Sequence, residues 1–447
     1  MQQLVKLKNR FIKDRHMNEL ATHSAFSFIM RVVGLMVNYL FLFFVTRFYG
    51  ADGWGIFALC FSIIQITSML GILGINVALV KIVSMGYGNV KELYYQTLKF
   101  AIPVNLLLTA LVFIFSEQLS KYFGVADGIS ITTHIRIASL GILPFSISMI
   151  NSGIFRGNKE IILFSFFDSL GRFLFGFAMV FILHFFSSDT LTTITGFVAG
   201  LYILGIFSFR GVNRILNKKY EHTHGDKRDH FPFKELLKLS VPLFWGALML
   251  QGTLWAPTII LGLYVSKEEV GIFDSTNRLA GLLTIILFAI NSISGPKFAE
   301  SLADKNLLRK NINASSKLIF WASVPLFLFL LAGGPFIIKL LEHRPGFNEY
   351  FIFVIILIGQ LINSLTGLTG TIMQMTGHHV MNQNISMGSF ILTTILLFII
   401  TPVYGLVGAA IITGLNIALK NIVSVIFIYL KLDVLTIYLP FKRKAAA

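Results

Sequence analysis

The chain has 447 residues, 55% of them hydrophobic and only 13% charged, with a mean hydropathy of +0.76 and a formal net charge of +16. Soluble proteins carry about 25% charged residues, and a soluble domain could not bury this much apolar surface, so a water-soluble enzyme or binding module is excluded. Nucleic-acid binding is excluded too, because the positive charge is spread over short loops and not gathered in a basic domain with base-reading elements.

A polar stretch, Met1 to Thr22, opens the chain. No small-residue cleavage site follows a short apolar core, so no removable signal peptide is expected. Crossing a hydrocarbon core of about 30 Å takes roughly 20 apolar residues, and such runs recur from Ala25 to Leu430. They place twelve helices at roughly 24–46, 55–80, 97–116, 132–155, 161–185, 191–209, 236–263, 270–294, 317–338, 350–375, 384–401 and 405–430. Cys60, the single cysteine, lies in the second helix, excludes an intrachain disulfide and reads as packing.

The longest polar interruption, Arg210 to Lys238, divides these spans six and six. The expected organisation is a cytoplasmic segment 1–23, an N-terminal bundle 24–209, a charged cytoplasmic linker 210–235, a C-terminal bundle 236–430 and a cytoplasmic tail 431–447. His222, His224 and His230 in the linker invite a metal, but no fixed ligand scaffold accompanies them. With both termini cytoplasmic, the outer segments hold only Arg47, Lys121, Lys267, Lys339 and Arg344. The other cations outside the spans then fall inside, which is the bias that sets orientation.

The halves repeat weakly but in order. Trp54-Gly55-Ile56-Phe57 matches Val270-Gly271-Ile272-Phe273, Ile75-Asn76 matches Ile290-Asn291, Pro103 matches Pro325, and Arg156-Gly157 corresponds to Thr376-Gly377. Six spans per repeat keep both halves in the same orientation. The expected fold is therefore an all-α integral membrane protein: two six-helix bundles related by a parallel pseudo-twofold axis around a central cavity. Repeats of this kind suit alternating access with substrate near the midplane.

Five cations, Arg31, Arg136, Arg172, Arg278 and Lys420, sit within the spans, against two acids, Asp168 and Asp274. Each charge costs roughly 2.5–3.5 kcal/mol or more at the bilayer centre, so such groups mark a pathway or face a protein interior, and this excess of cations favours an anionic load. Ser24, Ser27, Arg31, Gly34 and Asn38 share one face of the first helix by helical spacing. Gln360, Asn363, Gly367, Gly370 and Gln374 do so on the tenth, Thr413, Asn416, Lys420 and Ser424 on the twelfth, and Gln251, Trp255 and Thr258 on the seventh. These faces read either as a wet cavity or as helix packing through small and polar residues.

Both acids occur in Asp-Ser-x-x-Arg, Asp168 with Arg172 and Asp274 with Arg278, so each can reach its arginine one turn away. The pairs are either self-neutralised or take up a coupling proton or sodium ion. His134, two residues from Arg136, is a side-chain type that can titrate near neutral pH and is a third coupling candidate, or else sits at the outer surface. Pro257 is the favoured bend in the seventh helix. Tyr39, Trp245 and Trp255 border the polar faces, where aromatic rings could stack on sugars or line an acyl-chain groove.

The run from Tyr49-Gly50-Ala51-Asp52-Gly53-Trp54-Gly55-Ile56-Phe57 to Gly71-Ile72-Leu73-Gly74-Ile75-Asn76 resembles the signature of polysaccharide-exporting (O-antigen) flippases. So does Leu239-Ser240-Val241-Pro242-Leu243-Phe244 followed by Gly262 and Val270-Gly271-Ile272-Phe273. These belong to the multidrug/oligosaccharidyl-lipid/polysaccharide exporter superfamily. The resemblance implies two six-helix bundles forming a V, and translocation of undecaprenyl-pyrophosphate-linked sugar repeat units across the bacterial inner membrane. It also implies a cationic lumen, which Arg31, Arg136 and Lys420 could supply, and as partners membrane lipids, a polysaccharide polymerase and a chain-length regulator around a monomeric transporter. No cofactor is expected beyond a coupling H+ or Na+. The family's seventh helix often carries an acid where this chain has Ala256-Pro257, which leaves the ion open.

A drug exporter of the same fold is the alternative, but it would want acids in the lumen. Major-facilitator transporters also have twelve helices, yet the loop from Lys81 to Gln96 lacks their glycine, acid and arginine signature. A glycan polymerase would need a larger outer loop than Glu117 to Ile131, and no P-loop pattern appears.

Overall fold

A computed structural model describes residues 15–124, 127–220, 231–302, 304–341, 347–438 and 440, with side chains from Phe26 onward except at 27, 28, 341, 347 and 348. The described chain is almost entirely helical, and 10 of its helices are long and apolar enough to cross a membrane. Two of them, Ile29–Ile72 and His379–Leu432, each hold two spans joined at a glycine elbow, Gly50 (φ 77, ψ 176) and Gly405 (φ 52, ψ −135). The ten thus resolve into the twelve spans expected, and the chain is a multi-pass membrane protein.

Glycines, not prolines, break the helices. The second span is interrupted at Gly74 (φ 75), where a Cβ would lie 2.7 Å from the backbone nitrogen of Phe244 and the carbonyl of Ser240. The tenth is split into Phe347–Leu365 and Thr369–Met375 at Gly367 (φ 79). The seventh span, Phe233–Gly262, runs as one helix through Pro242 and Pro257, so the bend expected at Pro257 does not interrupt it. Proline's φ near −65° is helical and costs one hydrogen bond, whereas a positive φ reverses the chain direction and favours a residue without Cβ.

Several helices outrun their apolar cores. The sixth span is Leu191–Tyr220, continuing into what reads as linker, and the ninth, Lys305–Leu341, starts well before 317. Hydropathy marks only the portion matched to hydrocarbon, while intrahelical hydrogen bonds continue through polar turns at the membrane surface. The fifth span is irregular: Ile161–Ser165, a π-helical turn Phe166–Leu170, then Gly171–His184.

By contacts the chain forms two compact units, each discontinuous in sequence. The first comprises the described parts of Met1–Phe41, Ile63–Ser116 and Thr133–Trp245. Its helices meet at glycines, as where a Cβ on Gly200 would stand 2.5 Å from the nitrogen of Gly176. Polar side chains seal the rest: the Tyr94 hydroxyl donates to Asn151 Oδ1 (2.8 Å), and Asn151 Nδ2 donates to Ser208 Oγ (2.8 Å). Close approach through small residues and interhelical hydrogen bonds is how helices associate when lipid removes the hydrophobic drive.

The second unit comprises Leu42–Ser62, Glu117–Thr132 and the described parts of Gly246–Ala447. Gly55 and Gly271, matched by the sequence repeat, pack against one another: a Cβ on Gly55 would lie 1.8 Å from the carbonyl oxygen of Lys267, and one on Gly271 1.8 Å from that of Ala51. The segment Glu117–Thr132 is pinned to the start of the eighth span. Lys267, with a side chain 1% exposed, donates Nζ–H to the Asp127 carboxylate and to the Ile129 carbonyl (3.0 Å), and its backbone N–H reaches Asp127 Oδ2 (3.1 Å).

Burial alone would raise the Asp127 carboxyl, but hydrogen bonds from the Lys267 side chain and from the backbone N–H groups of Ile129 and Lys267, together with the ammonium charge, outweigh it and hold the group below its ordinary value of 3.8. A depressed folded-state value means that the stabilisation is complete above 3.8 and fades as pH falls through the lowered value. Asp127→Asn should therefore melt below the parent protein at pH 7, with the gap closing on acidification, as thermal melts across pH would record. A gap that persists unchanged to pH 2 would contradict this account.

Candidate functional site

Each unit holds one of the two Asp-Ser-x-x-Arg motifs, and the structure treats them differently. In the second unit Asp274, 7% exposed, lies in a regular helix, Lys267–Ala280. Its Oδ2 accepts from Arg278 Nε (2.6 Å) and from Trp54 Nε1 (3.0 Å), and its Oδ1 from the Thr258 hydroxyl (3.4 Å). The Arg278 guanidinium carbon lies 5.1 Å from the Trp54 ring centroid, so the cation also meets an aromatic face. The expected one-turn pair therefore forms and gains two further donors. Thr258, read as a member of a polar face on the seventh span, is one of them.

In the first unit the pair expected between Asp168 and Arg172 does not form. Asp168 sits in the π turn, where the Gly171 N–H reaches back five residues to the Phe166 carbonyl, and among the described residues no ion pair joins Asp168 to Arg172. A π turn inserts one residue into the helical register and changes the phase of side chains on either side. The Arg172 guanidinium instead lies 4.6 Å over the Phe145 ring, with Nε buried and without a hydrogen-bond partner. Donor capacity remains on that guanidinium.

The first span crosses the fifth at this turn. A Cβ on Gly34 would stand 3.2 Å from backbone atoms of Ser169 and Leu170, so Gly34 serves close packing. Helical spacing then puts Arg31, exposed, and Asn38, half-buried, one turn to either side of the crossing. Arg31, Asn38, Asp168 and Arg172 thus gather around one helix crossing in the first unit. The side chains of Ser24 and Ser27, assigned to the same face, lie outside the described residues.

The remaining candidates are scattered. Arg136 is exposed, donates Nε–H to Ser116 Oγ (3.0 Å) and stands 5.5 Å from the Phe113 ring centroid. His134 pairs instead with Thr190 Oγ1 (3.1 Å), so these two neighbours in sequence go to different partners. Lys420 is half-buried with no carboxylate paired to it among the described residues. Asn416 accepts from the Ser389 hydroxyl, and Thr413 and Ser424 bond back to helix carbonyls, so much of that face serves packing. On the tenth span Asn363 Nδ2 donates to Gln360 Oε1 (3.2 Å), and the break at Gly367 puts Gly370 and Gln374 on a separate helix, ending the continuous face drawn from periodicity. Gln251 is half-buried, and Trp255 is 8% exposed and packed.

Sequence reasoning overlooked Trp54 as a ligand of the acid network. The signal was present in the repeat itself: if matched motifs pack glycine on glycine, Trp54 next to Gly55 comes beside Asp274, three residues past Gly271. Among the described residues no cluster of three His, Cys, Asp or Glu could hold a metal ion, and His222, His224 and His230 lie outside them.

With this geometry in hand, comparison with known proteins is informative. Residues 44–342 match the sequence profile of a family described as polysaccharide biosynthesis protein. A capsular polysaccharide biosynthesis protein, CapF, of Staphylococcus aureus is 27% identical over 306 residues, 66% of this chain and 74% of that protein. A putative O-antigen transporter of Shigella flexneri is 21% identical over 383 residues, 82% of this chain and 88% of that one. Among solved structures, the lipid II flippase MurJ in an inward closed conformation superposes with a TM-score of 0.72 at 16% identity, covering 91% of this chain and 87% of its own. An inward-facing multidrug resistance MATE family transporter of the MOP superfamily gives 0.69 at 14% identity, covering 91% and 98%. At these identities the superpositions establish a shared fold.

Proposed function

The chain belongs to the polysaccharide biosynthesis protein family, and from that premise we propose that it flips undecaprenyl-pyrophosphate-linked oligosaccharide repeat units of an O-antigen or other surface polysaccharide across the bacterial inner membrane by alternating access. The observation that carries this reading is the buried Arg172 Nε, left without a hydrogen-bond partner at the crossing that also bears Arg31. A pyrophosphate must bring its negative charge through a low-dielectric layer. Guanidinium groups stay protonated there and offer it charge-assisted, often bidentate hydrogen bonds.

On this reading Arg31 and Arg172 take the pyrophosphate in the first unit, and Arg136 there and Lys420 in the second unit are further cations for the load. The polyprenyl chain stays in the bilayer. Asp168, with no ion-pair contact to Arg172, is the better candidate to exchange a coupling H+ or Na+; Asp274, with three donors on its carboxylate, is the poorer one. Both termini lie in the cytoplasm, and the transporter works as a monomer feeding a polysaccharide polymerase and chain-length regulator. A cation-coupled drug exporter is the second reading, since Asp274 is a buried acid of the kind a cationic drug would seek. Arg278 and Trp54 already occupy that carboxylate.

Arg31→Ala should abolish surface-glycan export in a strain lacking its own transporter while membrane protein levels stay at those of the parent. Gel profiles of extracted glycan beside membrane immunoblots give both readouts. Full export by the variant would remove Arg31 from the path. Transport in vesicles with and without imposed proton or sodium gradients would identify the ion.

A further inference from the structure

In the second unit the short helix Thr369–Met375, beyond the break in the tenth span, lies against two others: the close of the eighth span, Thr284–Glu300, and the start of the eleventh, within His379–Leu432. Uncharged polar side chains converge there. The Thr371 hydroxyl donates to Asn291 Oδ1 (2.8 Å), and a Cβ on Gly370 would stand 3.7 Å from Asn382 Oδ1, so each flanking helix turns a carboxamide toward the short one. Asn291, Thr371 and Asn382 are half-buried. Among the described residues Asn291 Nδ2 and the Asn382 carboxamide have no hydrogen-bond partner. A carboxamide has two donors and an acceptor, so most of this capacity is open.

Glycines keep those groups uncovered. Elsewhere in this unit glycine serves contact between backbones, as at Gly55 and Gly271, but within 4 Å a Cβ on Gly295 would meet only Asn291 Oδ1 and Thr371 Cγ2, both at 3.7 Å, and one on Gly370 only Asn382 Oδ1. These are ordinary van der Waals distances, and both glycines have helical backbones. Neither packing nor conformation requires glycine at these two positions, and its effect there is to leave space in front of the carboxamides. Helical spacing puts Phe288, 44% exposed, on the same face as Asn291 and Gly295. An aromatic ring thus stands one turn along from the amides.

We propose that this face binds a sugar residue of the lipid-linked load. The inference rests on the flippase reading for its ligand and adds where in the second unit the glycan is recognised. A sugar hydroxyl is donor and acceptor at once and matches a carboxamide on both counts, while the C–H face of the sugar ring suits an aromatic surface such as Phe288. Anions and metal ions are poorly served, since Asn291, Thr371 and Asn382 bring no charge of either sign. Sites of this kind fix their ligand through a few placed polar groups, and a site built to hydrogen-bond a hydroxyl rejects a ligand that lacks it.

Equilibrium binding to purified full-length protein in detergent tests this with two probes, undecaprenyl pyrophosphate without sugar and the glycan-bearing lipid extracted from cells that lack the transporter. The parent should bind the glycan-bearing lipid about tenfold more tightly or better. Asn382→Leu removes the open carboxamide and Gly370→Leu fills the space before it; each should weaken the glycan-bearing lipid by about tenfold, the upper end for one neutral hydrogen bond, and leave the sugar-free lipid at the parent's affinity. Gly370→Ala should melt with the parent, because its methyl group fits. The proposal is overturned if the parent binds both lipids alike, if the two leucine variants keep its preference, or if they weaken both lipids equally. Binding of neither lipid by the parent removes the flippase reading and this site with it. Arg172→Gln, in contrast, should weaken both lipids; if it weakens neither while the parent's preference for sugar holds, the pyrophosphate assignment falls and the glycan site stands.

Discussion

Asp274→Ala should melt far below the parent protein, because one substitution removes the shared acceptor of three donors. Arg278, whose side chain is 22% exposed, loses the carboxylate it pairs with, and Trp54 Nε1, in a fully buried ring, loses the acceptor Asp274 gave it. Removing one member of a buried ion pair costs about 3–5 kcal/mol, and the orphaned indole N–H adds about 1–3 kcal/mol. Asp274→Asn keeps a carbonyl oxygen for Trp54 and should fall between the two. The Asp274→Ala/Arg278→Ala double variant should lose less than the sum of its single variants, since the second change deletes the stranded charge. Melts of the four proteins in detergent decide the matter. Additive losses would mean that the acid and arginine act independently despite their 2.6 Å separation.

The second large effect is steric. Gly55→Ala and Gly271→Ala each drive a methyl group to 1.8 Å from a backbone carbonyl oxygen on the facing helix. Rotamer changes cannot relieve contact with main chain, so the helices must separate and lose the packing around them. Overpacking a core costs about 1–3 kcal/mol and occasionally more, and a contact between two backbones belongs at or above the upper end. Gly281→Ala is the control, since a Cβ there meets nothing within 4 Å and its φ of −61° is helical. Yield and melting temperature of the three variants should rank Gly281→Ala with the parent and the other two far below it. Folding of Gly271→Ala at parental stability would show that the crossing is looser than drawn.

These two sites also show what was legible in the sequence. Hydropathy located the spans because the hydrocarbon core imposes a length, and Gly50 and Gly405 fall in or beside the gaps between predicted helices. It did not locate helix ends, since Arg210 to Tyr220 continue a helix in polar residues that only hydrogen bonding reveals. The Asp-Ser-x-x-Arg spacing forecast the Asp274 pair, yet the same spacing at Asp168 gave a π turn and no ion pair between described residues. A spacing rule assumes regular α geometry, and which turn departs from it is decided by packing such as that of Gly34 on Ser169 and Leu170. The polar faces were visible as periodicity. Whether Thr413, Asn416 or Thr258 meets water or another side chain depends on neighbours remote in sequence.

Trp54 and Asp274, 220 residues apart, must meet to satisfy each other. At a synthesis rate of roughly 5–20 residues per second, the indole of Trp54 waits roughly 10–45 s for its acceptor to leave the ribosome. Through that interval Leu42–Ser62, joined partway by Glu117–Thr132, lacks most of the unit onto which it packs. Assembly of this molecule is therefore not a matter of finishing one half and then the other: the hairpin around Gly50 is made well before most of the unit it joins and is among the last elements to settle, and an insertion chaperone would meet it exposed.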